Sequence, residues 1–195
     1  NRLEEIIQKS TFGHADLLYL LQFQGSELKQ LYAKANETKL RSVGNKVYFR
    51  GLIEFSNVCS KDCYYCGIRK SNDQVKRYFL SDQEIIDAAQ FAYKNRYGSV
   101  VLQGGELTGT EYVERMERLI REIKVLSHGQ LGITLSLGEQ SEDVYRQWFE
   151  AGAHRYLLRI ESSNPQLYEQ IHPQNSLHSH FARLQCLQTL REVGY

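Results

Sequence analysis

Hydrophobic residues at the start of the chain recur at helical spacing. Leu3, Ile6 and Ile7 fall on one face of a helix, and a Leu-rich stretch at 15–23 continues the same period. Because residues three and four apart share a helix face, this pattern predicts successive amphipathic helices. We interpret residues 1–44 as a helical cover that precedes the main domain.

After residue 44 the pattern changes to short apolar runs that alternate with longer stretches of helical spacing. The runs are rich in Val, Ile, Leu and Tyr, which is typical of strands. Ser81-Asp-Gln-Glu84 forms a capping box, and Ser141 is a second N-cap. The predicted strands are 47–55, 99–103, 132–137 and 156–160, and the predicted helices are 81–97, 111–126, 141–151 and 179–193.

Four repeats of strand and helix predict an α/β fold with a parallel sheet, because parallel neighbours need long return connections. We expect residues 45–195 to form the first half of a (βα) barrel of about four units. Gly194 is a typical helix stop before a further strand, and the first residue is not Met. We therefore expect the chain to be truncated, with a complete open sheet as the alternative.

Composition limits the classes of function. The chain has 195 residues, 42% of them hydrophobic, and a formal net charge of +1, so its charge favours neither nucleic acid nor a membrane surface. No apolar run approaches the roughly 20 residues that span a bilayer. Three of the four cysteines lie close together, which does not suit a disulfide framework. We expect a cytoplasmic protein.

The candidate chemistry begins with Cys59, Cys63 and Cys66, which directly follow the first predicted strand. Three thiolates on one loop can hold three irons of a 4Fe–4S cluster and leave the fourth iron open. The alternative is a zinc-binding or otherwise non-catalytic module, completed by one of His172, His178 and His180. We otherwise interpret these histidines as a surface connection before the last helix.

Polar residues also follow the other predicted strands, at the edge where parallel α/β folds bind ligands. Glu106, behind Gly104 and Gly105, has the chemistry to accept a hydrogen bond from an ammonium group. Glu161 suits ribose hydroxyls, and Arg183 suits a carboxylate in fork geometry. This set predicts a ligand in which an amino acid is joined to a nucleoside.

The loop Cys59-Ser-Lys-Asp-Cys63-Tyr-Tyr-Cys66 has an aromatic residue before its third cysteine, and Gly104-Gly105-Glu106 follows the next strand. In these features the chain resembles the radical S-adenosylmethionine (SAM) superfamily. The resemblance implies an enzyme with a 4Fe–4S cluster whose open iron binds SAM. Reductive cleavage of SAM then gives methionine and a 5′-deoxyadenosyl radical.

Five runs in order are similar to the HydE family of FeFe-hydrogenase maturases, within the biotin synthase-like subgroup: 51–59, 64–69, 101–106, 134–139 and 155–159. The resemblance implies an organometallic iron substrate, other hydrogenase maturases as partners and a reductant such as ferredoxin or flavodoxin. By the same resemblance the Tyr65 carbonyl faces adenine. The implied SAM contacts are Gln103, Ser136, Glu161 and Arg183, and the implied substrate contacts are Arg50, Thr134 and Arg159.

Two enzymes of the same subgroup are alternatives. Biotin synthase needs ligands for a second cluster, and no Cys follows the second, third or fourth predicted strand. Cys186 lies in a predicted helix, where we interpret it as a small hydrophobic residue. A methylornithine synthase-like carbon-skeleton mutase stays open. Ile160 stands where HydE members often have His, and this departure weakens the substrate assignment more than the cofactor assignment.

Overall fold

A computed structural model describes residues 2–195. The chain divides into two compact units, of which the first ends at Val47 and the second runs from Tyr48 to Tyr195. Across the described part of the chain, no helix combines the length and the apolar character that crossing a membrane requires.

The first unit consists of three helices: α1 (Arg2–Ile7), α2 (His14–Leu20) and α3 (Gly25–Val43). Its small core contains Leu3 and Ile6 from α1 together with Leu20 and Phe23, as the helical spacing in the sequence predicts. The guanidinium group of Arg2 lies 4.1 Å from the ring centre of Tyr19. That these helices cover the main domain stays a prediction.

The second unit is built on a four-stranded parallel sheet with the strand order β1-β2-β3-β4. The strands are β1 (Arg50–Glu54), β2 (Ser99–Gln103), β3 (Gly132–Ser136) and β4 (Arg155–Tyr156). The helices are α4 (Asp82–Lys94), α5 (Thr110–Leu126), α6 (Glu142–Ala151), α7 (Pro165–Ile171) and α8 (His180–Val193), with a 3₁₀ turn at Ser176–His178.

Side chains alternate between the two faces of this sheet, as strand geometry requires. One face packs against α4, α5 and α6 in a single apolar core that includes Ile53, Leu102 and Leu135. On the other face Leu52 is 58% exposed. The sheet therefore has one covered face and one open face. The loops that carry the polar residues follow the carboxyl ends of its strands.

Three predicted elements differ clearly in length from the observed ones. β1 begins at Arg50 because its pairing with β2 begins opposite Ser99. The predicted fourth strand, 156–160, is reduced to Arg155–Tyr156, and the last hydrogen bond to β3 runs from Leu157 N to the Leu135 carbonyl at 2.7 Å. The predicted helix 81–97 ends at Lys94, because Arg96 adopts a positive φ of 60°.

The prediction of a surface connection around the histidines is wrong. The segment forms α7 and the 3₁₀ turn, with Asn164 capping α7 through a hydrogen bond from Leu167 N. His172 is 1% exposed and His178 is 6% exposed. Both rings are buried because the segment packs against the cysteine loop, defined here as residues 59–66.

Candidate functional site

One cleft lies at the carboxyl ends of the strands, where the sequence predicts a ligand site. It is formed by the loops after β1, β2 and β3 and by the chain that follows β4. The structure brings most of the predicted site residues to its wall, namely Cys59, Cys63, Tyr65, Cys66, Gln103, Gly104, Gly105, Glu106, Ser136, Arg159, Glu161 and Arg183.

Two predicted substrate contacts lie outside this wall. Arg50 is the first residue of β1, at the end of the strand opposite to the cleft. Thr134 lies in the middle of β3, two positions before Ser136. Thr134 is paired in register with Arg155 of β4.

The cysteine loop lies directly against the loop that follows β2. A Cβ atom added to Gly105 would lie 2.1 Å from the carbonyl oxygen of Val58 and 2.7 Å from Cys59 Cβ. Only glycine permits this approach, which explains the Gly-Gly pair in physical terms. The backbone amide of Glu106 then donates to Cys59 Sγ at 3.3 Å. The β2 loop thus places a donor on the first sulfur.

Every residue between the three cysteines has a hydrogen-bond partner outside the loop. Ser60 donates to the Glu106 carbonyl through its amide at 2.9 Å and through its hydroxyl at 2.8 Å. Lys61, Asp62, Tyr64 and Tyr65 contact residues of other elements, and these contacts are described below. The loop is therefore ordered by the protein itself.

Arg77 holds the chain on either side of the cysteine loop. Its guanidinium group donates to four backbone carbonyls, those of Asn57, Ile68, Arg69 and Asn72, at 2.6–3.0 Å. The Asn57 side chain adds two bonds to residues 76 and 78. Since the planar group has several donors in a fixed geometry, it fixes the path of the chain around the cysteines.

A buried network of four charged side chains lies at the cleft, and three of them, Lys61, Glu106 and Arg183, line it. Lys61 Nζ lies 3.0 Å from Glu106 Oε1 and 2.8 Å from Glu139 Oε2, and it also donates to the Leu177 carbonyl. Arg183 Nε lies 2.6 Å from Glu139 Oε1, and Arg183 Nη2 lies 3.8 Å from Glu106 Oε2. The contact with Glu139 Oε1 is an ion pair without hydrogen-bond geometry.

The network balances two cations against two anions among side chains that are at most 15% exposed. Burial disfavours the charged form of Lys61, but Glu106 and Glu139 outweigh burial and raise its pKa. Burial also disfavours the charged form of Arg183, but Glu139 and Glu106 outweigh it and raise the pKa of Arg183. Burial raises the pKa of Glu106, although Lys61 opposes the shift. Sequence reasoning gave no role to Lys61 or Glu139, since their pairing depends on the fold.

The upper wall of the cleft is polar and more exposed. Gln103 Nε2 donates to Glu54 Oε1 at 3.0 Å, which links the ends of β2 and β1. Glu161 is exposed and has a positive φ of 60°, a conformation that costs free energy for a residue other than glycine. A strained acidic residue at a cleft is typical of a functional site.

The donor set fits an iron–sulfur cluster better than a single metal ion. All four cysteines are free thiols. Among residues 2–195, no three His, Cys, Asp or Glu side chains converge closely enough to hold one ion. A cube needs wider spacing because each thiolate binds a different iron. Of the three suggested zinc ligands, His172 and His178 use both ring nitrogens in hydrogen bonds, so neither is free to complete a tetrahedron. The third, His180, has a buried Nε2 without a hydrogen-bond partner, but within residues 2–195 it belongs to no converging set of three ligand side chains.

Comparison with known proteins agrees with the geometry. The model of the Radical SAM superfamily matches residues 53–195, and the chain belongs to this superfamily. Its members use a 4Fe–4S cluster and SAM. The prediction of the family from the cysteine loop and the Gly-Gly-Glu run is confirmed.

Individual relatives narrow the resemblance. The [FeFe] hydrogenase maturase subunit HydE of Thermotoga maritima is 42% identical over 166 residues, which cover 85% of this chain and 45% of that protein. The biotin synthase of Magnetococcus marinus is 32% identical over 91% of this chain and 54% of its own length. The chain thus spans about half the length of these curated relatives.

Solved structures support the fold. The FeFe-hydrogenase maturase HydG from Carboxydothermus hydrogenoformans has a TM-score of 0.79 at 22% identity, over 100% of this chain and 46% of that one. Methylornithine synthase (PylB) has a TM-score of 0.79 at 24% identity, over 100% of this chain and 57% of that one. The predicted partial barrel of the radical SAM type, short relative to its neighbours, is confirmed.

Proposed function

We propose that the chain is the cluster- and SAM-binding part of an enzyme of FeFe-hydrogenase maturation similar to HydE. In this proposal Cys59, Cys63 and Cys66 hold the 4Fe–4S cluster. When bound, the cluster and SAM supply reductive cleavage of the sulfonium to a 5′-deoxyadenosyl radical. The observation that carries the proposal is the convergence of the three cysteines and the charged network on one cleft.

The charges of the cleft suit the amino-acid end of SAM. Glu106 lines the cleft, and its carboxylate accepts hydrogen bonds from an amino group as it does from Lys61 Nζ at 3.0 Å. Arg183 offers its guanidinium to a ligand carboxylate. We propose that these two side chains orient the amino and carboxylate groups of SAM.

The remaining wall suits the nucleoside. We propose that Glu161 and Gln103 bind hydroxyl groups, that Ser136 donates a hydrogen bond and that the Tyr65 carbonyl faces adenine. Gly104 and Gly105 let the ligand approach the backbone closely. Arg159, on the cleft wall, would face the substrate, which we propose to be a small organometallic iron compound. The resemblance to HydE adds Thr134 and Arg50, which lie on the sheet outside that wall. In the same proposal, the partners are other hydrogenase maturases and the reductant is a ferredoxin or flavodoxin. The proposed location is the cytoplasm.

Anaerobic reconstitution with iron and sulfide tests the cluster. We expect a brown chain whose reduced form gives a paramagnetic signal that shifts when SAM is added. Cys63→Ala should abolish the signal. Cys186→Ala is the matched control, because Cys186 packs beside α6 in a separate apolar cluster. Bound zinc without sulfide in the parent chain would overturn the proposal.

Substrate class needs a separate observation. The 42% identity to HydE favours hydrogenase maturation, whereas the likeness to methylornithine synthase reflects the shared fold. Genes for other hydrogenase maturases beside the gene for this chain would support the maturase. Genes for the use of methylornithine in the same place would support the mutase instead.

A further inference from the structure

Residues 171–178 form hydrogen bonds with the cysteine loop, although they lie more than 100 positions further along the chain. We propose that His172 and His178 in this segment are positioning residues, which hold the cysteine loop in the shape that the cluster needs. The inference rests on the proposed cluster function and extends it to residues that touch neither iron nor SAM.

Four contacts join this segment to the cysteine loop. Tyr64 N donates to the Ile171 carbonyl at 3.1 Å, and Asp62 N donates to His178 Nε2 at 2.9 Å. Tyr65 Oη lies 3.2 Å from His172 Nε2. Lys61 donates to the Leu177 carbonyl. The loop residues on both sides of Cys63 are thus bound to one short segment.

The hydrogen bonds fix the state of the His178 ring. The Asp62 amide only donates, so His178 Nε2 accepts and its protonated Nδ1 donates to Asn175 Oδ1 at 2.8 Å. This ring is therefore neutral and presents an acceptor toward the cysteine loop. His172 Nδ1 donates to the Tyr168 carbonyl at 2.8 Å, and its Nε2 pairs with the Tyr65 hydroxyl, which can donate or accept.

Burial makes these bonds consequential. His172 and His178 are almost fully buried. A buried polar group without a hydrogen-bond partner costs free energy, so the loss of either ring's hydrogen bonds would destabilise the fold. His172 also stacks on Tyr168, with ring centres 3.9 Å apart, which fixes its orientation. A role in packing alone would require the size of the ring, whereas a positioning role requires the acceptor at Nε2.

Two substitutions at position 178 separate these roles. His178→Gln places an amide oxygen near the position of Nε2 and keeps the acceptor for Asp62 N. His178→Asn reaches only the position of Nδ1 and loses that acceptor. We expect the Asn variant of the reconstituted chain to lose iron to a chelator about tenfold faster than the parent chain, because supporting groups behind metal ligands have effects of this size. The Gln variant should behave like the parent.

Hydrogen exchange of the metal-free chain gives a readout that needs no cluster. The Asp62 amide should exchange faster in His178→Asn than in the parent and His178→Gln, while the amides of β2 keep their protection. If the parent chain holds a cluster and the two variants lose iron to the chelator at equal rates, the proposal is overturned. An unchanged Asp62 amide, or loss of the fold in both variants, would also overturn it. A parent that assembles no cluster would refute the proposed function, and the exchange experiment would still decide the contact.

Discussion

Lys61 lies between two of the proposed iron ligands, and its ammonium group meets three acceptors: Glu106, Glu139 and the Leu177 carbonyl. An ammonium group has three donors, so its hydrogen-bonding capacity is used completely. Its side chain is about as buried as those of Glu106 and Arg183. Removing it would leave two carboxylates with only Arg183 as a counter-charge.

Lys61→Met should therefore lower the free energy of unfolding by about 3 kcal/mol, because it leaves buried charge without its partner. Urea unfolding of the metal-free chain measures the change. The loss should shrink at low pH, where Glu106 can take up a proton. Lys94→Met is the control, since Lys94 is exposed at the end of α4 and contacts Gln90. Equal stability of the two variants would show that the network contributes little.

The buried histidines predict how stability depends on pH. Burial lowers the pKa of His172 and His178 below the ordinary value of 6.5. As the pH falls through 6.5, the unfolded chain binds protons that the folded chain does not. Stability is thus fully present above 6.5 and is lost as the pH falls toward the lowered values.

Urea unfolding at about pH 7.5 and about pH 5.5 tests this dependence on the parent chain and His178→Gln. We expect the parent to lose more stability on acidification than the variant, because the variant lacks one of the two shifted groups. Other titrating groups are common to both chains and cancel in the difference. A variant that declines as steeply as the parent would contradict the interpretation of His178 as a neutral ring.

At the scale of elements, the site depends on how closely the loops after β1 and β2 approach each other. Gly105→Ala would force a Cβ atom against Val58 and Cys59. We expect a loss of stability of about 2 kcal/mol and poor retention of iron, since the obstructing atoms are mostly backbone and cannot move aside cheaply. Gly67→Ala is the matched control, because a Cβ there meets nothing within 4 Å. Iron content and urea unfolding of both variants would show the difference.

The sequence predicted those elements whose signals are local. β2 has the predicted bounds, and Ser81 and Ser141 cap α4 and α6 as expected. β4 is shorter than its apolar run, since only Arg155 and Tyr156 pair in register with β3, and the run does not encode that pairing. The helix α7 was missed, although Asn164-Pro165 is a start signal for a helix, because seven residues carry too little periodicity.

The same distinction holds for the site. The cysteines and Gly104-Gly105-Glu106 were found because they are contiguous motifs at strand ends. The pairing of Lys61 with Glu139 and of Asp62 with His178 joins residues far apart in sequence. No single sequence contains a signal for such pairs, so their roles became visible only when the fold placed them together. The assignment of individual SAM and substrate contacts stays a prediction.

At the scale of the whole molecule, two compact units are joined near Val47. Val47, Tyr48 and Phe49 are 76%, 65% and 67% exposed and belong to no helix or strand. Exposed connections of this kind are preferred sites of proteolysis. All the residues that match the superfamily model, 53–195, lie in the second unit.

Limited digestion with trypsin should therefore cut first after Lys46 and leave a stable fragment that begins at position 47. Arg50 should resist, because its backbone is paired with β2. Mass spectrometry of the early fragments measures the site. Lys46→Gln should remove this fragment and leave later ones unchanged. An early cut inside α4 or α5 instead would show that the second unit is not the compact body described above.

The cysteine loop is held by hydrogen bonds to two separate parts of the protein, the β2 loop and the segment 171–178, and Arg77 holds the chain on either side of it. A loop that is already ordered gives up little conformational entropy when it receives its irons. Oxygen that strips the cluster should thus leave the polypeptide ready to accept a replacement, without a round of unfolding and refolding. Repair after exposure to air would then be limited by the supply of iron and sulfide.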